Sequence, residues 1–123
     1  MRLVLAAASI ALATLSVPTS QAGEAVVVDA RASWVGPNRA RIDVTIRHAD
    51  EGWDHYADQW TVETTGGEVL GTRTLLHPHV NEQPFTRSLT VDIPAGLSAV
   101  AIRARDSVHG ENPATFRLAL PAR

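Results

Sequence analysis

The chain of 123 residues contains no cysteine and no lysine, and both absences narrow what the protein can be. Without cysteine it forms no disulfide and offers no thiolate ligand, so a domain of this size must be held by packing or partly by a metal ion. Eleven arginines face thirteen carboxylates, which gives a formal net charge of −2. This weakly acidic balance argues against nucleic acid or an anionic membrane surface as a partner.

Long apolar runs are also scarce, and the one at the N-terminus is too short to span a bilayer. Arg2 is followed by the uncharged residues 3–17, then by Pro18 and the small-residue tripeptide Ser20-Gln21-Ala22. A charged start, a short apolar run and small residues are typical of a secretory signal rather than a membrane anchor. We therefore expect a signal peptide at residues 1–22, and one domain at residues 23–123 in the periplasm or outside the cell. Without cysteine at the cut for lipid attachment, we expect no membrane insertion after cleavage.

The rest of the chain lacks a sustained helical period, and apolar residues alternate with polar ones instead. Alternation with period two is typical of half-buried β-strands. Turn sequences separate the runs, and in Gly66-Gly67 both residues can take the positive φ of a tight hairpin. The pattern predicts an all-β, seven-stranded antiparallel sandwich. Its strands are expected at about residues 25–35, 39–48, 57–64, 68–76, 85–93, 98–106 and 115–120.

The C-terminal segment "IPAGLSAVAIRARDSVHGENPATFRLAL" resembles the last two strands of fibronectin type III and related immunoglobulin-like domains. A proline-containing corner precedes an alternating strand, which ends in a small polar residue and a glycine-bearing loop. The chain departs from that family at Ala99, near the usual position of a corner tyrosine. The resemblance covers about a quarter of the chain and implies an immunoglobulin/fibronectin type III-like fold, without implying a function.

The path of the chain predicts that all five histidines meet at one end of the sandwich. If each strand crosses the fold once, alternate connections lie at the same end. His48 and His55, then His77 and His79, and finally His109 occupy three alternate connections. Converging loops on a rigid β-scaffold are a common place for a binding site. Seven of the thirteen carboxylates lie in or beside the same loops, namely Asp50, Glu51, Asp54, Asp58, Glu82, Asp106 and Glu111.

Two pairs of residues sharpen this expectation. His48 continues the apolar row that ends at Ile46, and Asp106 continues the row that ends at Ala104, so the two side chains can hydrogen-bond across the top of the core. Such a bond either ties the core closed or fixes the tautomer of a metal-ligating imidazole. His77 and His79 flank a proline that favours extended backbone, which puts both imidazoles on one side of the chain. They suit joint coordination of one ion, or else belong to a polar loop anchored by prolines.

A divalent transition metal is therefore the ligand that the residue types favour. His77, His79 and His109 are the first candidate ligands, with His55 or His48 completing the set and Asp106 or Glu82 as a carboxylate partner. Imidazole and carboxylate suit Zn(II), Cu(II), Ni(II) or ferrous iron, whereas the lack of soft sulfur ligands disfavours Cu(I) and iron–sulfur clusters. Carriage or buffering of zinc or copper is the role that we expect from such a site.

The segments "HADEGWDHYADQWTVE", "GTRTLLHPHVNEQPFTRSL" and "ARDSVHG" resemble a family of small, uncharacterised secreted bacterial proteins, mostly proteobacterial. The similarity extends over about half of the mature chain and includes all five histidine positions. It implies that the three histidine loops are the signature of the family, and it implies no particular activity.

Two other functions remain open from the residues alone. The same loops can bind a periplasmic protein partner without metal through Trp53, Tyr56 and Phe85. A hydrolase based on Asp106, Ser107 and His109 is disfavoured, because neighbours on one strand end seldom form a catalytic triad and no nucleophile elbow is present. No substrate is indicated, so the sequence leaves enzymatic activity undecided.

Overall fold

The computed structural model describes residues 23–123, and the predicted signal peptide at residues 1–22 lies outside the described residues. The described part of the chain is all-β, contains no helix and forms two antiparallel sheets. Its eight strands are β1 (Val26–Gly36), β2 (Arg39–Arg47), β3 (Ala57–Glu63), β4 (Val69–Thr74), β5 (Phe85–Asp92), β6 (Ala99–Asp106), β7 (Gly110–Glu111) and β8 (Phe116–Ala119).

The strands divide into one sheet of three and one of five. The first sheet has the order β1-β2-β5, and the second has the order β4-β3-β6-β7, with β8 also pairing with β6. Every pairing is antiparallel. Chain direction therefore places the end of β2, the start of β3, the end of β4, the start of β5 and the end of β6 at the same end of the fold.

The structure contains each of the seven expected strands within a few residues, and it adds an eighth. The additional strand, β7, has only two residues and pairs with the end of β6. Gly110 makes this reversal possible, because its φ of 76° is a backbone conformation that side-chain-bearing residues rarely adopt. The expected count of seven was thus wrong by one strand, since two residues are too few to show alternation.

Two local expectations also need correction. Strict alternation predicts one apolar row along β1, but the register shifts between Val27 and Asp29, so that Val26 is exposed while Ala30 is buried. In the β3–β4 hairpin only Gly67, and not Gly66, takes a positive φ. A β-bulge changes which face a residue points to, and that change has no signature in composition.

The two sheets share one apolar core. Residues from both sheets that are less than 1% exposed include Ile42 and Ile46 of β2, Trp60 of β3 and Ile102 of β6. Gly71 of β4 allows the sheets to approach closely, because a Cβ atom there would lie 2.5 Å from Cγ1 of Val91. The apolar core thus supports the loops at the end where the histidines lie.

Candidate metal centre

Three loops meet at one end of the fold, and we call them the histidine loops: residues 48–56, 75–84 and 107–109. The first is a compact turn closed by its own backbone, in which Asp50 N donates to His48 O at 2.8 Å and Glu51 N donates to His55 O at 2.8 Å. A positive φ of 94° at Gly52 completes this turn. The loop therefore returns His55 toward His48 before β3 begins.

His48, His55 and Asp106 form a buried cluster at the top of the core. One possible ligand atom from each lies within 4.8 Å of the other two, and all three residues are buried. The imidazole rings of His48 and His55 meet edge to face, with centroids 4.8 Å apart. Ligands of a tetrahedral zinc ion are about 3.4 Å apart, so movements of about 1 Å would bring these donors onto one ion. This set within residues 23–123 could hold a metal.

Asp106 carries the negative charge of this cluster. It has no exposed surface, and its Oδ1 accepts the backbone N–H groups of Val108 at 2.9 Å and His109 at 2.8 Å. Burial acts to raise the pKa of Asp106 most strongly, but these two bonds and the His109 imidazole together hold the pKa below its usual value. The carboxylate is thus ionised in an apolar setting, where an unpaired charge is costly.

The second carboxylate oxygen of Asp106 lacks a hydrogen-bond partner within residues 23–123. Oδ2 is buried and has no hydrogen-bond partner among the described residues. Buried carboxylate oxygens are nearly always satisfied by a donor, an ordered water or an ion. Because the other oxygen of the same carboxylate contacts two imidazoles, this unsatisfied acceptor is the feature of the cluster that favours a cation.

His109 joins the cluster from its solvent side. Its Nδ1 lies 3.1 Å from Oδ1 of Asp106, and its ring centroid is 5.0 Å from that of His55. His55 also reaches Oδ1 of Asp106, with Nε2 at 3.0 Å. The side chain of His109 is 39% exposed, so it lies at the surface of the cluster.

The expected hydrogen bond between His48 and Asp106 is not formed. Nδ1 of His48 instead lies 2.5 Å from Oδ1 of Asp50, and Nε2 lies 2.9 Å from the carbonyl oxygen of Gly23. The reason is local: the turn after β2 folds Asp50 back onto His48, while the imidazole of His55 pairs with Asp106. The two residues nevertheless belong to the same buried cluster.

Asp50 connects the inner cluster to the second pair of histidines. Its Oδ1 also accepts the backbone N–H of Ala57 at 3.0 Å, and its Oδ2 accepts the backbone N–H of His79 at 2.7 Å. The Asp50 side chain has no exposed surface. One carboxylate therefore links the first histidine loop to the start of β3 and to the second histidine loop, and it also contacts the His48 ring.

His77 and His79 lie side by side, as expected, with ring centroids 4.6 Å apart, but they point to different surroundings. His77 is exposed, and its Nδ1 lies 3.1 Å from the carbonyl oxygen of Pro78. His79 is buried and stacks on Phe85 at 3.9 Å, and its Nε2 accepts from Arg87 at 2.9 Å. A guanidinium at that nitrogen opposes a cation there. Glu82 pairs with the same arginine, since its Oε1 lies 3.3 Å from Nη1 of Arg87.

His79 should make the stability of the fold depend on pH. Burial first, and then the positive charges of Arg87 and His77, lower the pKa of His79 from 6.5. As the pH falls through 6.5, the unfolded chain binds a proton before the folded chain does, so the free energy of unfolding decreases until the folded pKa is reached. Chemical denaturation with chelator present, between about pH 7.5 and about pH 5, should show a flatter profile for His79→Gln than for wild type. An unchanged slope in His79→Gln would contradict the prediction.

The remaining candidate residues take structural roles or lie at the surface. Phe85 is 1% exposed beneath His79, whereas Trp53 is 67% exposed and meets Tyr56 edge to face at 5.6 Å. Oγ of Ser107 accepts the backbone N–H of Tyr56 at 3.1 Å, and no hydrogen bond joins it to His109 among residues 23–123. A surface cavity of about 410 Å³ lies at this end and is lined in part by His48, Asp50 and Gln83.

Sequence reasoning missed three contributors to the site: Asp50 as the central acceptor, Arg87 and Gly23. The alternation of β5 could have identified Arg87, because it lies two residues after Phe85 and so points to the same face of the sheet. No periodic signal existed for Asp50 or Gly23, because both lie outside the strands. Composition placed Asp50 in the correct loop, but its partners follow from a backbone turn.

Fold and site together define a small two-sheet β protein with a buried histidine–carboxylate cluster at one end. Over 87 residues, or 71% of the chain, it is 46% identical to a protein of Halomicrobium mukohataei named "Putative lipoprotein". The matched region spans 43% of that relative, so the chain corresponds to less than half of its length. No family model and no solved structure matches the chain. The described residues include no helix that is long and apolar enough to cross a membrane.

Proposed function

We propose that the protein binds one divalent transition-metal ion through His48, His55 and Asp106, with His109 as the ligand nearest to solvent. The observation that carries the proposal is the buried Oδ2 of Asp106, which has no partner in residues 23–123 although its carboxylate is ionised. A cation at this point would meet a full negative charge in a setting of low dielectric. Zinc or copper carriage or buffering is the role that we propose for it.

The arrangement around His48 supports a ligand role. A carboxylate that accepts Nδ1–H leaves Nε2 as the metal-binding nitrogen and fixes the orientation of the ring. Asp50 is so placed, at 2.5 Å from Nδ1. Zn(II), Cu(II), Ni(II) and ferrous iron all accept imidazole and carboxylate, so the donor set favours this group of ions without selecting one of them.

The finer fold and the location belong to the same proposal. Constant-type immunoglobulin domains place their first, second, fourth and fifth strands in one sheet and the third, sixth and seventh in the other. In this protein β4 pairs with β3 and so lies in the other sheet. The first, second and fifth strands still share one sheet, and the third and sixth share the other, which supports an immunoglobulin/fibronectin type III-like sandwich. The predicted signal peptide and the name of the Halomicrobium relative support an extracytoplasmic location.

The test is a titration of exported, untagged and chelator-stripped protein with Zn(II), Cu(II) or Ni(II). Saturation at one equivalent should raise the melting temperature by roughly 10–20 °C when the metal is at about a hundred times its Kd. His55→Gln should remove most of this rise, whereas His77→Gln, which alters an exposed histidine, should preserve it. If His77→Gln removed the rise and His55→Gln preserved it, the metal site would instead lie at the His77–His79 pair. No response to any of the ions would reject the proposal.

A protein-binding role is the second candidate, and the distribution of exposed apolar side chains favours it. Within residues 23–123, four of the seven exposed large hydrophobic residues lie in the histidine loops: Trp53, Leu76, Val80 and Val108. Exposed apolar groups that cluster around one end of a domain often mark a contact surface. Buried Phe85 does not belong to this surface. The metal titration separates the candidates, because a contact surface alone predicts no stabilisation by metal.

A further inference from the structure

We infer that the α-amino group of Gly23, released by signal cleavage after Ala22, is a ligand of the same metal ion. The inference rests on the proposed metal function and adds that the site is complete only in the processed protein. It starts from a contact described above: the carbonyl oxygen of Gly23 lies 2.9 Å from Nε2 of His48. The N-terminal residue expected for the mature chain therefore lies directly against the buried cluster.

The segment that carries Gly23 is held in place. Two residues further on, Ala25 has no exposed surface, and its carbonyl oxygen accepts from Nδ2 of Asn112 at 3.0 Å. Strand β1 begins at the next residue, Val26. The body of the protein thus fixes the position of the Gly23 carbonyl, and Gly23 itself remains exposed to solvent.

Covalent geometry then limits where the amine can lie. The nitrogen of a residue is about 2.7–3.6 Å from its own carbonyl oxygen, so the Gly23 nitrogen falls within about 6.5 Å of Nε2 of His48. Two neighbouring ligands of one ion with square or octahedral geometry are about 3 Å apart. The separation of 2.9 Å between the Gly23 oxygen and His48 Nε2, which is a hydrogen-bond length without metal, is also compatible with that spacing. One ion could thus bind Nε2 together with both the oxygen and the nitrogen of Gly23, which form a five-membered chelate ring.

The chemistry of the nitrogen differs before and after cleavage. In the precursor it is a peptide nitrogen, whose lone pair is delocalised into the carbonyl group. In the processed chain it is an amine with an ordinary pKa near 8, which loses its proton readily to bind a metal. Nitrogen and oxygen donors in a square arrangement suit Cu(II) and Ni(II). Processing would therefore switch on tight binding only after the chain has been exported.

The experiment compares exported protein, shown by N-terminal sequencing to begin at Gly23, with the same protein acetylated at its α-amine. Cu(II) affinity should fall on the order of tenfold or more upon acetylation, at least as much as the loss of a group that supports a ligand. Glu24→Gln, which changes the same segment but leaves the amine free, should bind as wild type does. In glycine-¹⁵N protein, the Cu(II) electron paramagnetic resonance spectrum should show coupling to one ¹⁵N nucleus.

The outcomes separate this inference from the proposal on which it rests. Equal affinity of the free and acetylated proteins, or cleavage at another residue, would overturn the role of the amine and leave the His48–His55–Asp106 site intact. If neither form binds Cu(II), Zn(II) or Ni(II), the proposed function fails as well. Loss of affinity together with loss of the ¹⁵N coupling on acetylation is the result that we expect.

Discussion

Asp106→Asn should abolish the metal-induced rise in melting temperature and should also weaken the fold without metal. The amide has nearly the same shape, but it replaces an anion that accepts two backbone N–H groups and faces two imidazoles. The negative charge for the metal is lost in either orientation of the amide, and if the NH₂ group takes the Oδ1 position, it also faces the four donors that the carboxylate accepted. We expect a loss of roughly 1–3 kcal/mol in the free energy of unfolding with chelator present.

The matched control is Asp54→Asn, which makes the same chemical change at an exposed position in the first histidine loop. It should leave both the metal response and the stability close to those of wild type. Metal affinity is measured below the melting temperature of each variant by competition with a chelator of known affinity, so that lower stability does not imitate lost binding. Full wild-type affinity in Asp106→Asn would exclude Asp106 as a ligand.

The acid limb of the stability profile gives an independent check on Asp106. Because the folded environment lowers its pKa below 3.8, the contribution of this carboxylate to stability is present above pH 3.8. It is lost as the pH falls through the folded pKa. Asp106→Asn should therefore unfold with a shallower dependence on acid than wild type does, and identical acid profiles would argue that the carboxylate is not strongly bound in the fold.

The sequence was sufficient to predict which end of the fold carries the histidines, because that depends only on strand number and direction. Residues His48 and His55 of the first loop and His109 of the third do meet, with centroid distances of 4.8 and 5.0 Å. Alternation also predicted the inward positions of His48 and Asp106 correctly, and both are buried. These properties follow from patterns that repeat along the chain, so one sequence is enough to show them.

The pairing of individual side chains could not be predicted in the same way. His48 binds Asp50 rather than Asp106 because a turn brings a residue only two positions away within 2.5 Å. His79 was expected to share an ion with His77, but Phe85 and Arg87 surround it. Such contacts depend on loop backbone and on bulges, such as the register shift between Ala57 and Gln59, that leave no period in the sequence.

Asp50→Ala should have the largest effect on stability of any single change in the histidine loops. It removes the shared acceptor of three donors: His48 Nδ1 and the backbone N–H groups of Ala57 and His79. Those donors would stay buried without a partner, so we expect a loss of roughly 3–5 kcal/mol, measured by chemical denaturation with chelator present. Asp54→Ala, which truncates an exposed carboxylate of the same loop, should cost little.

The same substitution separates the support of a ligand from direct coordination. Because Asp50 fixes the Nδ1–H tautomer of His48 without belonging to the proposed ligand set, its loss should weaken metal binding by roughly 10- to 100-fold rather than abolish it. Asp106→Asn, in contrast, should remove measurable binding. A double-mutant cycle of Asp50→Ala with His48→Gln should therefore be strongly non-additive in metal affinity, because Asp50 acts through the His48 imidazole. Additive losses would mean that Asp50 stabilises the loops but does not orient the ligand.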